Sequence, residues 1–124
     1  MPLFHAVLQI DHHKAQVVQF DVEHSHIQKL HAHTHYTRQH QSGVRTEHEF
    51  FSEVCDALSS VTEVLVTGSH TGQAAFRHYV GKHRAALAQK IIGWETVDHP
   101  TEAQLLAFAR EYFAKYPRMA AAPS

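Results

Sequence analysis

Histidine is the residue type that stands out for its chemistry. The 124-residue chain holds 14 histidines, against 11 Lys plus Arg and 12 Asp plus Glu. His24 and His26 precede a spaced triplet, His31-x-His33-x-His35, and His40 and His48 follow. In an extended strand positions 31, 33 and 35 share one face, so three imidazoles can converge on a Zn²⁺ or Cu²⁺ ion. No cysteine or placed carboxylate completes a common site, and histidines on a basic segment also hydrogen-bond or contact phosphate. The expectation is therefore no resident cofactor, with zinc on His31, His33 and His35 as the metal alternative.

Three further groups of residues have chemistry to offer. Gly68-Ser69-His70-Thr71-Gly72-Gln73 falls between an apolar run and a helical pattern. Glycines there permit a tight turn, and free N–H groups at a helix start favour an anion, which makes Gly68, Ser69, Thr71 and Gly72 a candidate anion-binding loop. The segment is neither a Walker loop nor Gly-x-Gly-x-x-Gly, and its plainer reading is a strand-to-helix turn with Thr71 as N-cap. Asp11, Asp98 and Glu49 are the carboxylates that a Mg²⁺-dependent nuclease would have to bring together, although Asp11 in Asp-His-His-Lys has the look of a turn residue. Cys55, the single cysteine, excludes an internal disulfide and sits at a core-facing helical position.

Charge is distributed unevenly. The formal net charge is −1 with histidine neutral, and protonating half of the histidines would carry it to about +6. From His24 to Thr46 there is no Asp or Glu, while Lys29, Arg38 and Arg45 stand there among six histidines. From Val64 to Trp94 there is again no acid, against Arg77, Lys82, Arg84 and Lys90. Two acid-free basic stretches in a near-neutral protein predict a partitioned surface.

The elements that must position these residues are legible as patterns. Phe4–Ile10 and Ala15–Val22 are strand-forming runs around the polar turn Asp11-His12-His13-Lys14, and Ile27–His35 reads as a third strand. Thr34–Arg45 is polar and unpatterned, a long loop. Thr46 and Glu49 form a capping box for a helix that buries Phe50, Phe51, Val54, Cys55 and Leu58. Val64-Leu65-Val66 is a short strand, Gln73–Val80 a helix, Ala85–Gln89 a helical turn and Ile91–Val97 the last strand. Thr101, with Gln104 three residues on, caps a final helix that buries Leu105, Leu106, Ala109, Tyr112 and Phe113 and that Pro117 should stop. The order β-β-β-α-β-α-β-α predicts one α/β domain over residues 1–116: an antiparallel N-terminal hairpin joined to parallel strands in a mixed sheet, with flanking helices and a flexible tail at 117–124. No apolar run approaches the roughly 20 residues of a membrane span. The N-terminus lacks a signal-peptide pattern, so a cytoplasmic location is expected.

Phe4–Asp11, a second strand, a basic loop, a helix and then Val64-Leu65-Val66-Thr67-Gly68-Ser69 resemble the middle domain of class I peptide release factors and Pelota. The segment Trp94-Glu95-Thr96-Val97-Asp98-His99-Pro100-Thr101 with Gln104-Leu105 is similar to small bacterial stand-alone relatives of that domain, known as translational machinery proteins. The resemblance covers residues 4–116. It implies an RNase H-like or ribosomal-protein-like α/β fold and a place near ribosomal RNA or tRNA. In release factors a Gly-Gly-Gln motif in the loop before the first long helix promotes peptidyl-tRNA hydrolysis. The matching loop here reads Gln39-His40-Gln41-Ser42-Gly43-Val44-Arg45 and lacks the motif, and Gly72-Gln73 belongs to a different loop.

The function expected is thus non-catalytic: a ribosome- or RNA-associated domain. Lys29, Arg38, Arg45, Arg77, Lys82 and Arg84 would contact phosphates and Tyr36 would stack on a base. A hydrolase using Gln41 or Gln73 to place water, a metal enzyme and a histidine-based metal module are the alternatives. Self-association is open, and no membrane partner is expected.

Overall fold

A strict alternation in the first strand sets the architecture. In β1 (His5–Ile10), Ala6, Leu8 and Ile10 point to one face and Val7 to the other, and all four are fully buried. A strand buried on both faces belongs at the centre of a sheet with helices on either side. The computed structural model describes residues 5–21, 23–32, 42–98 and 100–121, with side chains from 47 in the first helix and to 115 in the last. Its five-stranded sheet has the order β3-β2-β1-β4-β5. β2 (Lys14–Phe20) pairs antiparallel with β1, and β3 (Ser25–His31) pairs antiparallel with β2. β4 (Glu63–Gly68) runs parallel to β1, and β5 (Ile91–Thr96) runs parallel to β4. The mixed sheet anticipated from the order of elements is the one observed.

Helices cover the two faces unequally. α1 (Ser42–Ala57), α2 (His70–His83) and the short α3 (Ala85–Lys90) contribute Phe50, Phe51, Val54, Phe76, Val80 and Leu87, with Leu58 just beyond α1, to a core on Leu8, Ile10, Val17 and Val66. α4 (Glu102–Ala121) alone covers the other face, packing Leu105, Ala109 and Phe113 on Val7, Val18, Phe20 and Leu65. Cys55 lies in the first core, and burial pushes its thiol up to about 11.

Several boundaries differ from expectation, most of them by one to three residues, and four of the differences have structural content. β3 ends at His31, and residues 33–35, anticipated in the same strand, lie outside the described residues. α1 begins at Ser42 and not at the Thr46 box, so the helix takes in the end of the segment read as loop. α2 is capped by Ser69, whose Oγ accepts the Gly72 N–H at 3.1 Å, and not by Thr71. Ser69 wins because its extended backbone (φ −69°, ψ 155°) turns the hydroxyl back onto the third helical N–H, the position that an N-cap serves. α4 passes Pro117 and reaches Ala121, so the proline lies inside the last turns of the helix, where it forfeits one N–H bond and crowds the carbonyl four residues back. Thr101 and Gln104 cap α4 reciprocally as expected: Gln104 N–H donates to Thr101 Oγ1 at 3.1 Å and Thr101 N–H to Gln104 Oε1 at 2.9 Å.

Candidate nucleic-acid interface

The acid-free stretch from Val64 to Trp94 folds into one unit: β4, α2, α3 and the start of β5. α2 buries Gly72, Gln73, Phe76, Tyr79 and Val80. The remaining arc, His70, Thr71, Ala74, Arg77, His78, Gly81 and Lys82, is exposed and carries no carboxylate. Arg77 lies over the Trp94 ring, its guanidinium carbon 5.3 Å from the ring centroid. At the far end His83 and His48 of α1 flank Tyr79, with ring centroids 4.9 and 5.3 Å from the tyrosine. The outer face of α2 therefore carries Arg77 and Lys82 with no carboxylate of its own helix beside them.

The cations nominated from sequence separate in space. Arg77 and Lys82 stand on this face. Arg84 caps α2 but turns its Nη2 to Ser52 Oγ (2.9 Å) and Asp56 Oδ1 (3.0 Å), and the Asp56 carboxylate holds its guanidinium even more firmly charged. Lys29 projects from the opposite face of the sheet, where its Nζ meets Glu102 Oε2 at 2.8 Å. Arg45 lies on α1, and Tyr36 and Arg38 lie outside the described residues. Of the histidine triplet, His31 ends β3 exposed, whereas His33 and His35 lie outside the described residues. Among the described residues no group of three His, Cys, Asp or Glu side chains is placed to hold a metal ion.

The glycine loop is built for close packing. Gly68 adopts φ +143°, and a Cβ there would fall 2.1 Å from the Ile10 carbonyl oxygen. A Cβ on Gly72 would fall 2.8 Å from Ser69 Oγ and 3.1 Å from the Ile10 carbonyl. Both glycines thus let the β4–α2 turn lie against the end of β1, and one N–H that an anion would use is already given to Ser69. Gln73 is buried, and its Nε2 donates to the Gly68 carbonyl at 2.9 Å and the Glu95 carbonyl at 3.0 Å. An amide committed in this way fastens α2 to β4 and β5 and has no donor left to orient water.

Sequence reasoning missed one polar array. His12, in the β1–β2 turn, places Nδ1 3.0 Å from Glu47 Oε2 on α1 and Nε2 3.3 Å from Thr71 Oγ1 on α2. These residues stand 35 and 59 positions from His12, so no local pattern announces them. The parallel pairing of β1 with β4 does, because it brings the turns after both strands to the same sheet edge. The order carboxylate–imidazole–hydroxyl is that of a hydrolytic triad, and it also ties three elements together.

No family model matches this sequence, and no curated protein does. Solved structures do. Pelota from Archaeoglobus fulgidus superposes with a TM-score of 0.62 at 14% identity, over 94% of this chain and 34% of that one. The archaeal translation termination factor aRF1 gives 0.60 at 14% identity, over 82% and 32%. What is shared is the fold. An archaeal protein gives 0.56 at 10% identity, over 97% and 41%. The chain thus spans about a third of the length of Pelota and aRF1, in accord with the fold expected of a release-factor-like domain.

Proposed function

We propose that this domain acts in translation as a non-catalytic, ribosome- or RNA-contacting module, related to the small bacterial proteins of release-factor middle-domain type. The observation that carries the reading is the exposed, carboxylate-free face of α2, with Arg77, His78 and Lys82 flanked by His70 and His83. Structured RNA is the polymer such a face suits, since phosphates supply the missing negative charge. The fold it shares with a translation termination factor supports the same setting. Arg38, Arg45 and Tyr36 remain in the proposal as further contacts on the ground of their residue types alone. Lys29 and Arg84 are assigned to holding the fold, because each already has a carboxylate. A cytoplasmic location follows from the role, and among the described residues no helix is long and apolar enough to cross a membrane.

Sucrose-gradient fractionation of lysate at low salt tests the reading. The parent chain is expected to travel with ribosomal particles, and an Arg77→Glu/Lys82→Glu variant to move to the top of the gradient. A parent chain found wholly in the ribosome-free fractions overturns it.

A hydrolytic reading has one observation in its favour, the Glu47–His12–Thr71 array. Fluorophosphonate treatment followed by intact-mass measurement decides it: an adduct on Thr71 that His12→Ala abolishes supports hydrolysis, and an unlabelled parent chain removes the idea.

A further inference from the structure

Between α2 and β5 lies a cavity of about 240 Å³ lined by His70, Gln73, Ala74, Arg77, Trp94 and Thr96. Pockets for drug-sized ligands span roughly 300–1,000 Å³, so this one has room for a single heteroaromatic ring system. Its floor is the half-buried indole of Trp94, the only tryptophan in the chain. Phe76 backs that ring at 6.4 Å, and Arg77 covers part of it. Among the described residues β4 is the one sheet neighbour of β5, so the indole sits at the margin of the sheet, within reach of a macromolecule.

The chemistry of the lining selects the ligand. A cation is disfavoured, because a guanidinium already lies over part of the ring and none of the lining residues carries a carboxylate. The Nε2 donors of Gln73 are spent on backbone carbonyls, so that side chain forms a wall and offers the ligand no N–H. What the cavity offers is the part of the indole that Arg77 leaves uncovered, a guanidinium beside it, and the His70 imidazole and Thr96 hydroxyl in the lining. A flat ring attached to a phosphate satisfies all of these together.

We infer that this cavity takes one unpaired nucleobase of an RNA strand, stacked in the Arg77–Trp94 array with its phosphate on Arg77. The inference rests on the RNA reading above and gives it a point of contact with a base. The strand preference that follows is for single-stranded loops or ends over continuous duplex, because a paired base cannot enter.

Because Trp94 is the sole tryptophan, its emission reports on the cavity directly. The full chain is titrated at low salt with an end-labelled single-stranded oligoribonucleotide, and label anisotropy and Trp94 emission are read from the same sample. Anisotropy is expected to saturate with Trp94 quenched in step. An Arg77→Gln variant should bind ten- to hundredfold more weakly, Trp94→Leu similarly, and Trp94→Phe within about threefold of the parent. An abasic strand of the same length should bind parent and Trp94→Leu alike. Saturable anisotropy with unchanged Trp94 emission, or a folded Trp94→Leu that binds like the parent, overturns the base pocket and leaves RNA binding standing. No anisotropy change at any concentration removes both.

Discussion

At the scale of single residues, the turn glycine and the buried amide are the least replaceable positions. Gly68→Ala combines a left-handed backbone with a Cβ 2.1 Å from the Ile10 carbonyl, a backbone atom that cannot step aside. The expected loss is about 3 kcal/mol or more, visible as a fall in the urea midpoint with little change in slope. Gln73→Ala leaves the Gly68 and Glu95 carbonyls without their donor and should cost about 2 kcal/mol by the same measurement. Asp21 behaves differently because it is exposed. Its carboxylate accepts the His24 and Glu23 N–H groups, and those bonds hold it below the ordinary carboxylate range. A depressed folded pKa contributes stability that is complete above the ordinary value near 3.8 and is lost as pH falls through the lower folded one. The Asp21 side-chain carboxyl carbon resonance should therefore titrate with a midpoint below the ordinary 3.8.

At the scale of elements, α2 carries both the candidate interface and a correctable weakness. Gly81 lies in its exposed interior, and a Cβ there would meet nothing within 4 Å. Gly81→Ala should stabilise the domain by about 0.5–1 kcal/mol, the opposite sign to Gly68→Ala, with RNA binding unchanged. Sequence periodicity located α2 well, since Phe76, Tyr79 and Val80 recur at helical spacing. It placed the start at Gln73 because His70, Thr71 and Gly72 are poor helix formers, which the Ser69 cap and the contact with β1 compensate. The same limit hid the beginning of α1, where no apolar residue announces Ser42. Strand pairing was legible because the order of elements makes the opening hairpin antiparallel and the strands that alternate with helices parallel, whereas the central place of β1 was not. The His12 array was not, since it depends on a pairing between residues far apart in sequence. The cation list was half legible: charge can be counted along a chain, but which charges face carboxylates is decided by the fold, as Lys29 and Arg84 show.

At the scale of the whole molecule, two consequences follow from how charge and core are divided. If Arg77, Lys82 and up to two cations from the α1 side contact a single strand, the binding constant should fall with salt at a slope of about −1.4 to −2.8, an affinity loss of about seven- to fiftyfold between 50 and 200 mM. A slope near zero in anisotropy titrations would remove phosphate contact as the basis of binding. The parallel pairing of β1 with β4 bears on a different moment in the molecule's life. The β1–β2–β3 meander can form as soon as residue 31 is free, yet the other edge of β1 has no partner until residues 63–68 arrive. At synthesis rates of about 5–20 residues per second, that apolar edge stays open for roughly 2–7 s on each nascent chain. The nascent protein is thus most prone to mispair with its neighbours before its sixty-third residue emerges, and slowing translation upstream of β4 should lower the soluble yield more than slowing it downstream.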